Sequence, residues 1–188
     1  MAYDNLKLEK GLYTTGKSFT QALEQIDPSE NYAGTPLEGL DAYQRQLKRF
    51  DIKGKEFLRT LGKYYIVDTG LRTYLLGNRE RDRGHILENI IYLELLRRGY
   101  DLAVGKVDNT EVDFIATKYN EKLYIQVTES LQGEEVRRRE LAPLEKIRDN
   151  YEKIVLSMDI SSGATYNGIK SINIIDWLLE DNYSYLKS

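Results

Sequence analysis

Residues 84–129 read GHILENIIYLELLRRGYDLAVGKVDNTEVDFIATKYNEKLYIQVTE, and their pattern decides the fold. Ile86, Leu87, Ile90, Ile91, Leu93 and Leu95 recur at helical spacing and give a broad apolar face over 84–98, which Arg97-Arg98-Gly99 closes. Leu102 to Val107, Val112 to Thr117 and Leu123 to Thr128 then read as strands, parted by turns at Asp108-Asn109-Thr110 and Tyr119-Asn120-Glu121. The stretch is therefore a helix followed by a three-stranded meander.

Downstream, Glu134 to Asn150 is a charged helix with a stripe of Val136, Leu141, Leu144 and Ile147, which Pro143 must kink or restart. Ile154 to Met158 and Ile172 to Ile175 read as strands, with a short helix over Asp176 to Glu180. Upstream, Tyr64 to Val67 is a short strand, and Asp68 or Thr69 caps a helix that ends at Leu76-Gly77. The core order of helix, three strands, helix and strand predicts an α/β domain with a mixed central sheet flanked by helices.

Composition narrows the function. At 188 residues there is room for one core and an appendage. The boundary is expected near residue 55, because 1–54 carries Asp27-Pro28-Ser29-Glu30, Gly34-Thr35-Pro36 and only two weakly helical stretches, Phe19 to Ile26 and Leu40 to Phe50. Such a segment buries too little apolar area to offset about 1–2 kcal/mol of backbone entropy per residue, so 1–54 is expected to be an extended or docked arm and 55–188 the domain. No apolar run approaches the roughly 20 residues a membrane span needs, and the first ten residues do not resemble a secretory leader, so a cytoplasmic chain without membrane partners is expected. With no cysteine and one histidine, His85, a Cys/His zinc site is excluded, and any metal would be a hard ion held by oxygen. A net charge of −3 argues against a constitutive nucleic-acid coat and leaves local basic clusters open.

Within that order, Glu88 falls on the helix, Asp113 on the second strand of the meander, and Gln126-Val127-Thr128 on the third. This resembles the PD-(D/E)XK, or restriction-endonuclease-like, fold. The resemblance implies that a helical Glu, a strand Asp and an acid-x-Lys pair converge on one or two Mg²⁺ ions, which activate water and neutralise charge on phosphate. Gln126 stands in the place of the second acid and Thr128 in that of the Lys. Loss of a charge-stabilising group is typically worth about 10² to 10³ in rate, so catalysis at Glu88, Asp113, Gln126 and Thr128 is expected to be weak or absent. Any Mg²⁺ would rest on Glu88 and Asp113.

A narrower resemblance rests on Lys63-Tyr64-Tyr65-Ile66-Val67-Asp68-Thr69-Gly70-Leu71-Arg72, Gly84-His85-Ile86-Leu87-Glu88-Asn89, Leu93 to Tyr100, Glu111-Val112-Asp113-Phe114 and Tyr124-Ile125-Gln126-Val127. These strings, from about Asp51 to Leu179, look like the C-terminal domain of prokaryotic AAA-type ATPases, the domain-of-unknown-function family 4143. That implies an accessory module which normally follows an ATPase and a winged helix. The chain has no room for that ATPase and is expected to be a detached terminal piece. Residues 27–50, from Asp27-Pro28-Ser29-Glu30-Asn31-Tyr32 to Gln46-Leu47-Lys48-Arg49-Phe50, resemble instead the start of a tailed-phage major capsid protein, which would make the chain a recombinant joined near Phe50 to Lys53.

Other signals have plainer readings. Gly11-Leu12-Tyr13-Thr14-Thr15-Gly16-Lys17-Ser18 matches a P-loop by spacing, with Ile154 to Asp159 as its would-be Mg²⁺ strand. Yet only the charged Leu6 to Lys10 precedes it, so a glycine-rich turn is the better reading and no nucleotide is expected. Asp113, between Val112 and Phe114, should point away from both and need a partner. His85 lines a cleft or sits on the surface, and Arg137-Arg138-Arg139 is a solvated helix face. Three functions follow: a nonenzymatic module binding nucleic acid, a protein partner or an ATPase; a residual Mg²⁺-dependent nuclease using the Gln126 amide oxygen and a displaced Lys106, Lys118 or Lys122; or a phage structural protein.

Overall fold

The computed structural model describes residues 44–60, 62–67, 69, 83–160 and 163–180. They fall into two compact units, residues 44–46 with 63–69 and residues 47–62 with 83–180. The first holds a two-stranded sheet of β1 (Gln44–Leu47) and β4 (Lys63–Ile66), with Tyr65 and Ile66 buried.

The second unit is built on eight strands. In chain order it holds β2 (Arg49–Asp51), β3 (Glu56–Phe57), α1 (Arg83–Arg97), β5 (Asp101–Val107), β6 (Thr110–Lys118) and β7 (Glu121–Val127). There follow α2 (Glu134–Glu145), β8 (Glu152–Ser157), β9 (Thr165–Tyr166), β10 (Ile169–Asn173) and α3 (Ile174–Leu179). The sheet order is β3-β2-β5-β6-β7-β8-β10-β9. Strands β5, β6 and β7 form the expected antiparallel meander, joined by the two-residue loops Asp108-Asn109 and Tyr119-Asn120. After α2 the chain returns with β8 parallel to β7, and β10 runs parallel to β8. The architecture is thus α/β, with a mixed sheet flanked by helices.

Residues Leu40 to Phe50 were expected to be weakly helical, and the described part of that stretch is strand instead. Arg49–Asp51 adds in parallel to β5, and Arg49 Nε donates to Glu111 Oε1 at 2.7 Å. Phe50 packs edge-on against Phe57 with ring centroids 5.2 Å apart. These tertiary pairings override a local helical pattern. Two residues expected to extend the last strand, Ile174 and Ile175, belong to α3. Asn173 ends the strand because its side-chain oxygen accepts the N–H groups of Ile175 (2.8 Å) and Asp176 (3.2 Å), a helix N-cap. Pro143 neither restarts nor prevents α2, which ends two residues later at Glu145.

One face of the sheet carries the main core: Val112, Ile115, Tyr124 and Val155 packed with Leu141 and Leu144 of α2. Helix α1 packs on β5, β6 and β7, and its Tyr92 ring lies 6.4 Å from that of Phe114. No helix among the described residues is long and apolar enough to cross a membrane. Residues 1–43 of the arm, with the P-loop-like string and the capsid-like stretch up to Tyr43, and the helix expected over 70–76 lie outside the described residues.

Candidate functional site

The meander contains one irregularity, and Asp113 sits in it. Between the pairs Ala103↔Ile115 and Gly105↔Val112, β5 has one residue, Val104, and β6 has two, Asp113 and Phe114. Two residues facing one define a β-bulge on β6. The bulge breaks the alternation expected from the sequence. Val112 and Ile115, three apart, both join the core cluster on the α2 face, whereas Phe114 stacks on α1. Val112 and Phe114 therefore do not share a face, and Asp113 is not simply opposite to both.

What Asp113 does instead is finish the ladder. Pairing of β6 with β7 runs from Lys118↔Glu121 to Phe114↔Ile125 and goes no further. The next donor on β7, the Val127 N–H, is taken by Asp113 Oδ2 at 3.0 Å in a buried hydrogen bond. Asp113 is 8 % exposed. A backbone donor there would otherwise be stranded, at a cost of about 1–3 kcal/mol.

Glu88 is likewise 8 % exposed, on α1. One turn earlier lies His85, whose side chain is 77 % exposed and whose Nδ1 is 3.9 Å from Glu88 Oε2. His85 is thus a surface residue at the helix start, beside the acid rather than buried with it. Gln126 stands opposite Asp113, one step beyond the Phe114↔Ile125 pair. Alternation from Tyr124 places it on the α2 face. Its Oε1 is buried without a hydrogen-bond partner, as is the Oγ of Ser157 on the neighbouring strand. Thr128 is locally committed: its hydroxyl donates to the Ser130 carbonyl at 3.3 Å and its N–H to Leu156 O at 2.9 Å.

The structure therefore brings Asp113 onto the β7 backbone beside Gln126 and ties Thr128 into the loop that follows. Among the described residues, no group of three or more His, Cys, Asp or Glu side chains is close enough to hold a metal ion. Two buried carboxylates are not a closed cage, and the orphaned Gln126 amide oxygen lies on the α2 face, across the sheet from the helix that carries Glu88. Mg²⁺ is nevertheless commonly held by one or two carboxylates, with water and phosphate completing an octahedron. Glu88 and Asp113 are the charged side chains that would hold such an ion.

The carboxyl ends of β7, β8 and β10 meet on Asp159, whose only signal in the sequence is its place in the would-be Mg²⁺ strand of the P-loop-like pattern. Asp159 accepts Ser130 Oγ (2.8 Å), the Leu131 N–H (2.6 Å) and Gln132 Nε2 (3.3 Å). Its own carbonyl accepts Asn173 Nδ2 at 2.8 Å. This clamp fixes the loop after Thr128 to the loop after β8. Asn173, directly before an apolar helical pair and an Asp, carried the sequence signal of a cap. No local signal marked the partners of Asp159, because they lie 27–29 residues away.

Comparison with known proteins adds two relatives. The chain is 43% identical over 133 residues to an uncharacterized protein of Haemophilus influenzae, covering 71% of this chain and 32% of that protein. It is 33% identical over 136 residues to an uncharacterized protein of Methanocaldococcus jannaschii, covering 69% of this chain and 29% of that one. The chain spans about a third of the length of the curated relatives it matches. No family model and no solved structure matches it.

Proposed function

We propose that residues 51–179 form a degenerate PD-(D/E)XK nuclease-like accessory domain, of the kind that follows the ATPase in prokaryotic AAA-type proteins, and that it binds nucleic acid or a protein partner with little or no catalysis. The observation that carries this reading is the state of Asp113. Its carboxylate serves as the backbone acceptor for Val127, on the strand where Gln126 and Thr128 replace an acid and a lysine. A nuclease needs that carboxylate turned to an ion and a neighbouring cation to stabilise the charge on phosphate. Here one acid is drawn into the ladder and the cation is a hydroxyl bonded to its own loop. The αβββαβ order and the two buried acids support the ancestry. Much longer relatives are in keeping with a module that works beside others.

The two buried acids favour one second reading, a residual Mg²⁺ nuclease in which Glu88 and Asp113 hold the ion and a lysine from elsewhere supplies the charge. Incubating the purified chain with single-stranded, duplex and branched DNA in Mg²⁺ or Mn²⁺ decides between them. No cleavage is expected. Cleavage that disappears in Asp113→Ala overturns the proposal in favour of the nuclease.

A further inference from the structure

At the other end of β7, about 16 Å from Gln126 at roughly 3.3 Å per residue, a cleft of about 480 Å³ opens around the β6–β7 hairpin. Tyr100, Lys118, Tyr119, Lys122, Tyr151 and Trp177 line it. Two of the rings face solvent: Tyr119 is 96 % exposed and Tyr151 48 %. Tyr119 holds φ at 52°, a left-handed conformation that a bulky side chain rarely adopts. A large ring is thus kept at the hairpin tip where it contributes nothing to the core.

Each exposed ring has an ammonium beside it. Lys118 Nζ is 6.0 Å from the Tyr119 ring centroid, and Lys122 Nζ is 5.1 Å from that of Tyr151. The charges are unequally used. Arg98 is satisfied by Glu94 Oε1 and the Trp177 carbonyl, both at 2.6 Å, and Glu152 is paired with Lys170 at 2.7 Å. Lys122 makes no ion pair among the described residues, its Nζ lying over the rings of Tyr124 (5.4 Å) and Phe50 (5.9 Å) as well as Tyr151, and Lys118 keeps donors beyond its bond to Arg98 O; the acids lining the cleft are Glu121 and the Lys170-paired Glu152. Rings that offer a flat face, with cations placed between them, recognise a chain of alternating bases and phosphates without reading its sequence.

We propose that this cleft binds single-stranded nucleic acid, with bases stacked on Tyr119 and Tyr151 and the intervening phosphates held by Lys118 and Lys122. The proposal names the ligand and surface for the binding role given above and rests on that reading for the kind of partner alone; the Glu88 and Asp113 pocket takes no part in it.

Fluorescence anisotropy of a labelled oligothymidine with the purified chain tests it. Binding that weakens with added salt is expected. Tyr119→Ala combined with Tyr151→Ala should lower affinity by about tenfold or more, while the corresponding Phe variants, which keep the rings, should restore it. Lys122→Ala should flatten the salt dependence, and Arg138→Ala, an exposed cation outside the cleft, should leave binding as it was. Both rings are exposed, so their removal leaves the core packing in place, and thermal melts confirm it. Affinity indifferent to the rings overturns the cleft. If that indifference is joined by loss in Asp113→Asn, which keeps an acceptor for the Val127 N–H, the ligand sits at the far end and the domain's binding role survives. No oligonucleotide binding by the wild-type chain overturns the cleft as a nucleic-acid site and leaves only a protein partner for that role.

Discussion

Asp113 shows how one side chain can belong to a site by position and to the sheet by bonding. Its oxygen takes the Val127 N–H, so the effect of losing it is structural first. Asp113→Ala is expected to destabilise the domain by about 1–3 kcal/mol in urea unfolding, the cost of a buried donor left without an acceptor. Asp113→Asn, which keeps an oxygen at that place, should recover most of the loss; equal losses in both would mean that the charge, not the acceptor, matters. Glu94 behaves differently. Its carboxyl is held below the ordinary carboxylate range chiefly by the Arg97 hydrogen bond; burial, next in size, opposes this, and Arg98 adds to the lowering. A depressed acid contributes stability above its unfolded value, 4.5, and loses it as pH falls through the lower folded value. Glu94→Gln should therefore melt earlier than wild type at pH 7, and the two should converge as pH falls below 4.5 and through the lower folded value. A gap that persists in acid removes the ion pairs as its cause. The sequence singled out Asp113 as a polar residue among apolar ones, but its bulge depends on register with β5, which no local string encodes.

Among the elements, the meander and its flanking helices were legible because their apolar periods are long and their turns carry Asp, Asn and Gly. The helix α1 and strands β5 to β7 lie within two residues of their expected bounds. The short strands towards the ends of the sheet were not legible. β2 has three residues, too few for a period, and exists because β5 offers it a parallel edge. Close packing at that edge has a measurable consequence at Gly105, next to the bulge. A Cβ there would lie 3.1 Å from both Ile52 Cδ1 and Val112 Cβ and 3.3 Å from Ile115 Cγ1. In an open strand, Gly→Ala gains about 0.5–1 kcal/mol from chain entropy, but overpacking against a strand Cβ costs about 1–3 kcal/mol. Gly105→Ala is therefore expected to destabilise, lowering the denaturation midpoint. A rise would show that β2 and the bulge yield freely.

Across the whole molecule, fifteen tyrosines make alkali a probe of how the α2 side is held together. Tyr124, in the centre of the sheet, reaches past the core to donate its hydroxyl to Asp149 Oδ2 at 2.5 Å, joining β7 to the connection between α2 and β8. Burial first, and then Asp149, push its phenol well above the ordinary value of 10.0. For an acid raised on folding, the protonated form is the folded one. Its stabilisation is complete below pH 10 and is lost as pH climbs above that, because the unfolded chain ionises first. Tyr100 is raised too, mainly by burial, and the exposed rings ionise in both states, so wild-type melting alone mixes several contributions. Subtracting Tyr124→Phe separates them. The variant should be less stable than wild type at pH 7, having lost the bond to Asp149, and its melting temperature should fall less steeply between pH 10 and 11.5. The two curves then approach one another in alkali. Parallel curves would mean that the Tyr124 hydroxyl is free to ionise in the folded state, and that the bond to Asp149 does not hold this side of the sheet.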